Sequence, residues 1–181
     1  RLVENTFADA VFFTNSGTEA VECAVKTARH YFWAKGQPER YEIIAFTGSF
    51  HGRTMGMIAA SGNEHYLEGF GPPLAGFKHL DPNDLAAVEK AITPNTAAIL
   101  IEPVQGEGGC TEMTGEYMRG LRALCDKHGM LLVLDRLNLS GAVLSFIAGL
   151  GIVGIIIGFA LQDIVKQFAA GVEYRPPKTL H

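Results

Sequence analysis

No basic excess marks this chain: 15 Lys and Arg stand against 19 Asp and Glu, giving a net charge of -4 and a pI of about 5.9. The electrostatic footprint that nucleic acid demands is missing, so no nucleic-acid partner is expected. Cysteine is scarce. Cys23, Cys110 and Cys125 are odd in number, sit in apolar or helical surroundings and lack metal-ligand spacing. No metal site is expected, and reduced thiols in a cytoplasmic chain explain them better than a disulfide framework. No charged segment followed by a short apolar core opens the sequence, as a secretory signal would. The first residue is Arg1, in sequence that reads as the middle of a domain, so a fragment is expected. There is no internal repeat and no low-complexity tract. From Leu137 to Gln162, charge is absent altogether.

What is present falls into two parts. Residues 1–135 alternate helical and strand patterns. "SGTEAVECAVKTARHYFWAKG" offers Ser16 or Thr18 as a cap, a helix, and Gly36 as a stop. "YEIIAF" reads as a strand, and "DPNDLAAVEKAI" as capping residues followed by a short helix. "TAAILIEPV" is a buried strand closed by Pro103, "GEYMRGLRALCDKHG" an amphipathic helix ending at Gly129, and "MLLVLD" a further buried strand. Continuous apolar strands alternating with helices predict an α/β fold, its parallel sheet covered on both faces. The 181 residues are enough for one ordinary domain with a sizeable core.

Four stretches of this first part could carry chemistry. In "TNSGTEA", Ser16, Gly17 and Thr18 open a helix, where outward N–H groups and hydroxyls suit a phosphate; a plain N-cap explains them as well. In "GSFHGRT", Phe50 and His51 lie between Gly48 and Gly52, where backbone can approach a ligand closely. An aromatic ring there could stack on a flat cofactor and Arg53 could grip a carboxylate, though a tight turn with a surface arginine fits too. "IEPVQGEGG" gathers Glu102, Gln105 and Glu107 on a Gly-rich loop after a strand, the edge where α/β sheets bind ligands. Asp135 ends another strand. It could pair with a protonated ring nitrogen or simply cap a helix.

Taken in order, "NSGTEAVECAVKTAR", "FHGRT", "EPVQGEGG" and "LLVLD" closely resemble the class III pyridoxal-phosphate aminotransferases, nearest to those acting on acetylornithine, over residues 1–135. The resemblance implies part of the large domain of a type I pyridoxal-phosphate transferase. It implies transamination of acetylornithine or a related ω-amine with 2-oxoglutarate, in a homodimer. Pyridoxal 5'-phosphate would be bound through Ser16, Gly17 and Thr18 at its phosphate, Phe50 against its ring and Asp135 at its ring nitrogen. Arg53 would hold the substrate α-carboxylate, and Glu107 would be a gate near a second substrate-binding arginine. After Asp135 the pattern departs: the family continues with Glu, a small apolar residue and Gln, whereas this chain reads Arg136, Leu137, Asn138. Lys166 stands near the spacing of the family's Schiff-base lysine, but "LQDIVKQFAAG" does not resemble that turn. No catalytic residue is assigned, and little transamination is expected from this chain alone.

The second part, residues 136–172, reads as one long apolar helix. Ser140 to Leu161, about 22 residues at 1.5 Å each, would reach roughly 33 Å, enough to cross a bilayer's hydrocarbon core. Gly151, Gly154 and Gly158 would let such helices approach closely, in a membrane or against each other. "LSGAVLSFIAGLGIVGIIIGFALQDIVKQFAAGV" resembles the pore-lining helix of small-conductance mechanosensitive channels. A membrane-anchored fragment, or a chimeric product without function, is therefore the alternative to an enzyme. Residues 173–181 form a polar tail broken by Pro176 and Pro177, expected to be irregular.

Overall fold

The computed structural model describes residues 1–5, 8–107 and 109–136. The apolar run 140–161, Lys166 and the tail 173–181 lie outside those residues. Among the described residues, no helix is long and apolar enough to cross a membrane.

After a single turn, α1 (Leu2–Asn5), the chain reaches α2 (Gly17–Ala34). Ser16 begins this helix: its hydroxyl accepts the Glu19 N–H at 3.2 Å, while the Glu19 carboxylate accepts the Asn15 N–H at 2.8 Å. That reciprocal arrangement satisfies donors the first turn would otherwise leave open. Gly36, at φ +74°, lets the chain turn out of the helix, and the Gln37 N–H returns to the Phe32 carbonyl. Val21, Val25, Ala28 and Phe32 form the buried stripe.

Then follow β1 (Glu42–Phe46), α3 (Met55–Ser61), α4 (Glu64–Leu67), β2 (Phe77–Leu80) and α5 (Leu85–Ala91). The remainder is β3 (Thr96–Ile101), a hairpin of β4 (Val104–Gln105) and β5 (Thr111–Glu112), α6 (Gly115–His128) and β6 (Leu131–Leu134). Thr54, Asp84 and Thr114 cap α3, α5 and α6 through their side-chain oxygens. Sequence patterning had pointed to neither α3, α4, β2 nor the hairpin: each is too short to show a clear hydrophobic period.

One four-stranded sheet, all parallel, runs β2-β1-β3-β6. Ile43, Ala98 and Leu100 face α2 and α3, packing with Val21, Val25, Ala28, Met57 and Ala60. Ile44, Phe46, Ile99 and Ile101 face α5 and α6, against Val88, Tyr117, Leu121, Leu124 and Cys125. Both faces are covered, which is why residues 43–46 of β1 and 97–101 of β3 can be apolar without a break. The expectation for "MLLVLD" needs correction. Met130 is buried, but Leu131–Val133 are only partly so and Leu134 is 45% exposed. β3 is the only neighbour of β6 among the described residues.

At the amino end of the sheet, Arg40 fastens three segments. Its guanidinium donates to the carbonyls of Thr96, His128 and Gly129 and lies 4.0 Å from the centre of the Phe32 ring.

Candidate active site

The strand order sets where a ligand can enter. From β1 the chain crosses to β2 on one side; from β3 it crosses to β6 on the other. The connections leaving adjacent strands thus diverge, opening a crevice at the carboxyl ends of β1 and β3, the point where open α/β sheets bind ligands. The segments following these two strands are bonded to each other there. Glu102 accepts the Phe50 N–H at 3.0 Å, and the Gln105 amide donates to the Thr47 carbonyl at 2.8 Å. Ser49 returns its hydroxyl to the Phe46 carbonyl at 2.7 Å. Glu102 and Gln105 are buried struts of this junction, whereas Glu107 is exposed.

The first turn of α2 meets the same loop. Gly52 has φ +120°, and a Cβ there would lie 2.2 Å from the Thr18 hydroxyl oxygen. Only a glycine lets backbone and Thr18 come so close. Ser16 serves as the helix cap, and Thr18 is left to face the loop. Beside Gly52, the His51 backbone N–H donates to the Ser61 hydroxyl at 3.2 Å, fixing the loop to the end of α3. The His51 ring lies fully inside, its Nδ1 2.8 Å from an Asp135 carboxylate oxygen. An ionised carboxylate only accepts, so Nδ1 donates in this pair, and Nε2 faces inward without a hydrogen-bond partner among the described residues. Asp135 is itself buried, held at the end of β6 by its backbone N–H to the Ile101 carbonyl. Ser16, Gly17, Thr18, Gly52, His51 and Asp135 thus form one continuous constellation at the carboxyl edge.

A second cluster lies around Phe50. The Arg53 guanidinium sits 5.3 Å from the Phe50 ring centre and 3.9 Å from that of Tyr66, and the two rings meet edge to face. The Tyr66 hydroxyl donates to Glu107 at 3.2 Å. Partial burial, and then the Glu107 carboxylate, push the Tyr66 phenol above its ordinary range, so it remains a donor through neutral pH. Arg53 makes neither an ion pair nor a hydrogen bond among the described residues, and its planar fork is held by rings alone.

Two residues of this region were given no role by the sequence. His51 stands inside the "FHGRT" stretch, but its partner is 84 residues away and no local signal reveals it. Tyr66 lies in α4, outside every motif, and joins the cluster through its edge-to-face contact with Phe50.

Comparison with known proteins shows the family of the chain. Residues 1–140 match the family described as aminotransferase class-III. The match reaches residue 140 rather than ending at Asp135. An acetylornithine aminotransferase of Mesorhizobium japonicum is 60% identical over 138 residues, 76% of this chain and 35% of the relative. One from Agrobacterium fabrum is 56% identical over the same share of this chain. Among solved structures, the ornithine aminotransferase of Toxoplasma gondii matches with a TM-score of 0.69 and 32% identity, over 73% of this chain and 32% of its own. A PLP-bound amine transaminase from an uncultivated Pseudomonas species matches at 0.64 and 33%, over 67% and 32%. The chain spans about a third of the length of the curated relatives it matches. It belongs to the class-III aminotransferase family.

That family implies pyridoxal 5'-phosphate as cofactor. The groups present suit it chemically: a capped helix N-terminus for an anion, a buried carboxylate for a ring N–H, a half-buried aromatic ring, and a glycine whose missing Cβ keeps the two halves together.

Proposed function

We propose that this class-III family member is the cofactor-binding portion of an aminotransferase that moves an amino group from acetylornithine, or a related ω-amine, to 2-oxoglutarate. In this reading the backbone N–H groups of Gly17 and Thr18, with the hydroxyls of Ser16 and Thr18, receive the cofactor phosphate at the positive end of α2. Phe50 lies against the ring. Asp135 accepts from the ring nitrogen, and His51 orients that carboxylate by donating to its other side. When bound, the cofactor supplies the electron sink for loss of a proton from the amine-bearing carbon. Arg53 receives the substrate carboxylate through its planar fork, and Glu107 stands at the same mouth. The remaining two-thirds of the relatives' length would supply the catalytic lysine, the second arginine and much of a homodimer contact.

The contact chain Thr18–Gly52–His51–Asp135 carries this reading, because it joins a phosphate-type helix terminus to a buried carboxylate through a single loop. Pyridoxamine 5'-phosphate tests it without requiring a lysine. Equilibrium dialysis against the 181-residue chain should show binding, weakened about ten-fold or more by Thr18→Val or Asp135→Asn, the loss of one charged hydrogen bond. Equal affinity in wild type and both variants would assign the cofactor elsewhere.

A further inference from the structure

Two successive turns of α2 meet the loop that leads from β1 into α3. Thr18 lies against Gly52, and Glu22, four residues on, accepts a hydrogen bond from the Thr54 hydroxyl. Residues at that spacing share one face of a helix, about 6 Å apart along its axis, a span that two residues of chain can match. The Glu22 carboxylate also stands beside Gly56: a Cβ there would lie 2.6 Å from Glu22 Oε1 and 3.1 Å from its Cδ and Oε2. Arg53 falls between the two contacts. On one side its neighbour is Gly52, a residue type with little backbone restriction of its own. On the other is Thr54, whose hydroxyl oxygen also accepts the Met57 N–H at 3.3 Å and so starts α3. The Arg53 guanidinium is held by the rings of Phe50 and Tyr66, contacts that set its distance from each ring but give its fork no direction. Direction comes from the backbone, and the Thr54–Glu22 bond ties that backbone to the helix.

The structure assigns Glu22 as the positioning residue of the carboxylate anchor: it makes no ion pair with Arg53 but aims it through Thr54, a role that rests on the reading of Arg53 as the group receiving a substrate carboxylate. The two turns of α2 then have separate tasks. Thr18 seats Gly52 beside the phosphate end, and Glu22 seats Thr54 beside the anchor. What Glu22 contributes is a hydrogen-bond acceptor at a fixed point, not its charge. An arginine fork owes its grip to two parallel bonds on one carboxylate, so a small angular error in the fork forfeits much of one of them.

Gly56→Ala separates this role from a structural one, because it alters neither partner of the bond. The three atoms nearest the new methyl all belong to the Glu22 carboxyl group, the far end of a flexible side chain, so the carboxylate swings off Thr54 while the backbone stays. Alanine is also the better helix former, and urea unfolding should show no loss of stability. Glutarate, an unreactive dicarboxylate, is titrated calorimetrically into the 181-residue chain saturated with pyridoxamine 5'-phosphate. Gly56→Ala and Glu22→Ala should each weaken glutarate about three- to ten-fold and leave the affinity for pyridoxamine 5'-phosphate within about two-fold. Glu22→Gln, whose amide oxygen still accepts from Thr54, should bind glutarate within about two-fold of the wild type. Equal loss of both ligands in Gly56→Ala and Glu22→Ala would mean that Glu22 only supports the fold, and overturns its assignment. Unchanged glutarate binding in those two variants does the same, as does a Glu22→Gln variant no better than Glu22→Ala. If the wild type binds pyridoxamine 5'-phosphate but not glutarate, Arg53 is not the anchor and Glu22 has nothing to position. If it does not bind pyridoxamine 5'-phosphate either, the proposed function itself is wrong and the role of Glu22 falls with it.

Discussion

Gly52→Ala should be far more damaging than Gly36→Ala, and its cost follows from two separable effects. At φ +120°, an L-residue is in backbone territory nearly reserved for glycine, a strain of about 1–3 kcal/mol. The new methyl would also stand 2.2 Å from Thr18 Oγ1, 2.7 Å from its Cγ2 and 2.8 Å from its Cβ. Thr18 is part of the first turn of α2 and cannot rotate away from all three contacts, so the helix end or the loop must shift. Overpacking of that kind costs about 1–3 kcal/mol more. The total is about 4 kcal/mol, a large fraction of a domain's stability. Gly36→Ala provides the control. Gly36 also has positive φ, +74°, but a Cβ there meets nothing within 4 Å, so only the left-handed penalty of about 1–2 kcal/mol applies. Urea unfolding of the two variants, followed by circular dichroism, measures the difference. If the variants lie within about 1 kcal/mol of each other, well inside the overpacking range, the loop and helix are not in rigid contact and the constellation built on Gly52 is wrong.

Other perturbations have equally definite outcomes. His51→Ala should cost about 3–5 kcal/mol in urea unfolding, since it removes a fully buried ring and the Nδ1 donor of Asp135; His51→Asn, able to donate, should recover part of it. Arg40→Ala removes the donor to three carbonyls and the stack on Phe32, and should cost about 2–3 kcal/mol; Arg40→Lys should restore little, lacking the planar fork. Burial pushes the Cys125 thiol up to about 11 and the Tyr117 phenol up to about 12. In the unfolded chain both lose their protons at lower pH, so stability should decline as pH rises through roughly 9–12 and level off above, by about 2–3 kcal/mol for each group. Cys125→Ala should flatten the lower part of that decline. For the same reason a thiol reagent should modify exposed Cys110 readily and buried Cys125 only on unfolding, as peptide mapping would reveal.

The sequence by itself determined the elements that carry a long, unambiguous signal. Ser16 or Thr18 announced the start of α2, Gly129 ended α6, and the apolar runs at β1 and β3 declared a sheet covered on both sides, because those patterns are written in residues near one another along the chain. The order of the four motifs was enough to place residues 1–135 with the aminotransferases. Burial of β6 was not legible. "LLVL" is apolar in any context, and its exposure depends on which strands flank it. The site was legible as a set of parts, not as an arrangement. That Glu102 and Gln105 are internal struts while Glu107 reaches solvent is settled by which way each residue points once β3 has ended. The His51–Asp135 pair, the approach of Thr18 to Gly52, and Tyr66 lying between Arg53 and Glu107 were decided only by the tertiary structure. Each joins residues 34 or more positions apart, or unites groups with no motif of their own. Contacts at such separations arise from how the crossovers stack helices on a twisted sheet, and local residue preference carries no record of them.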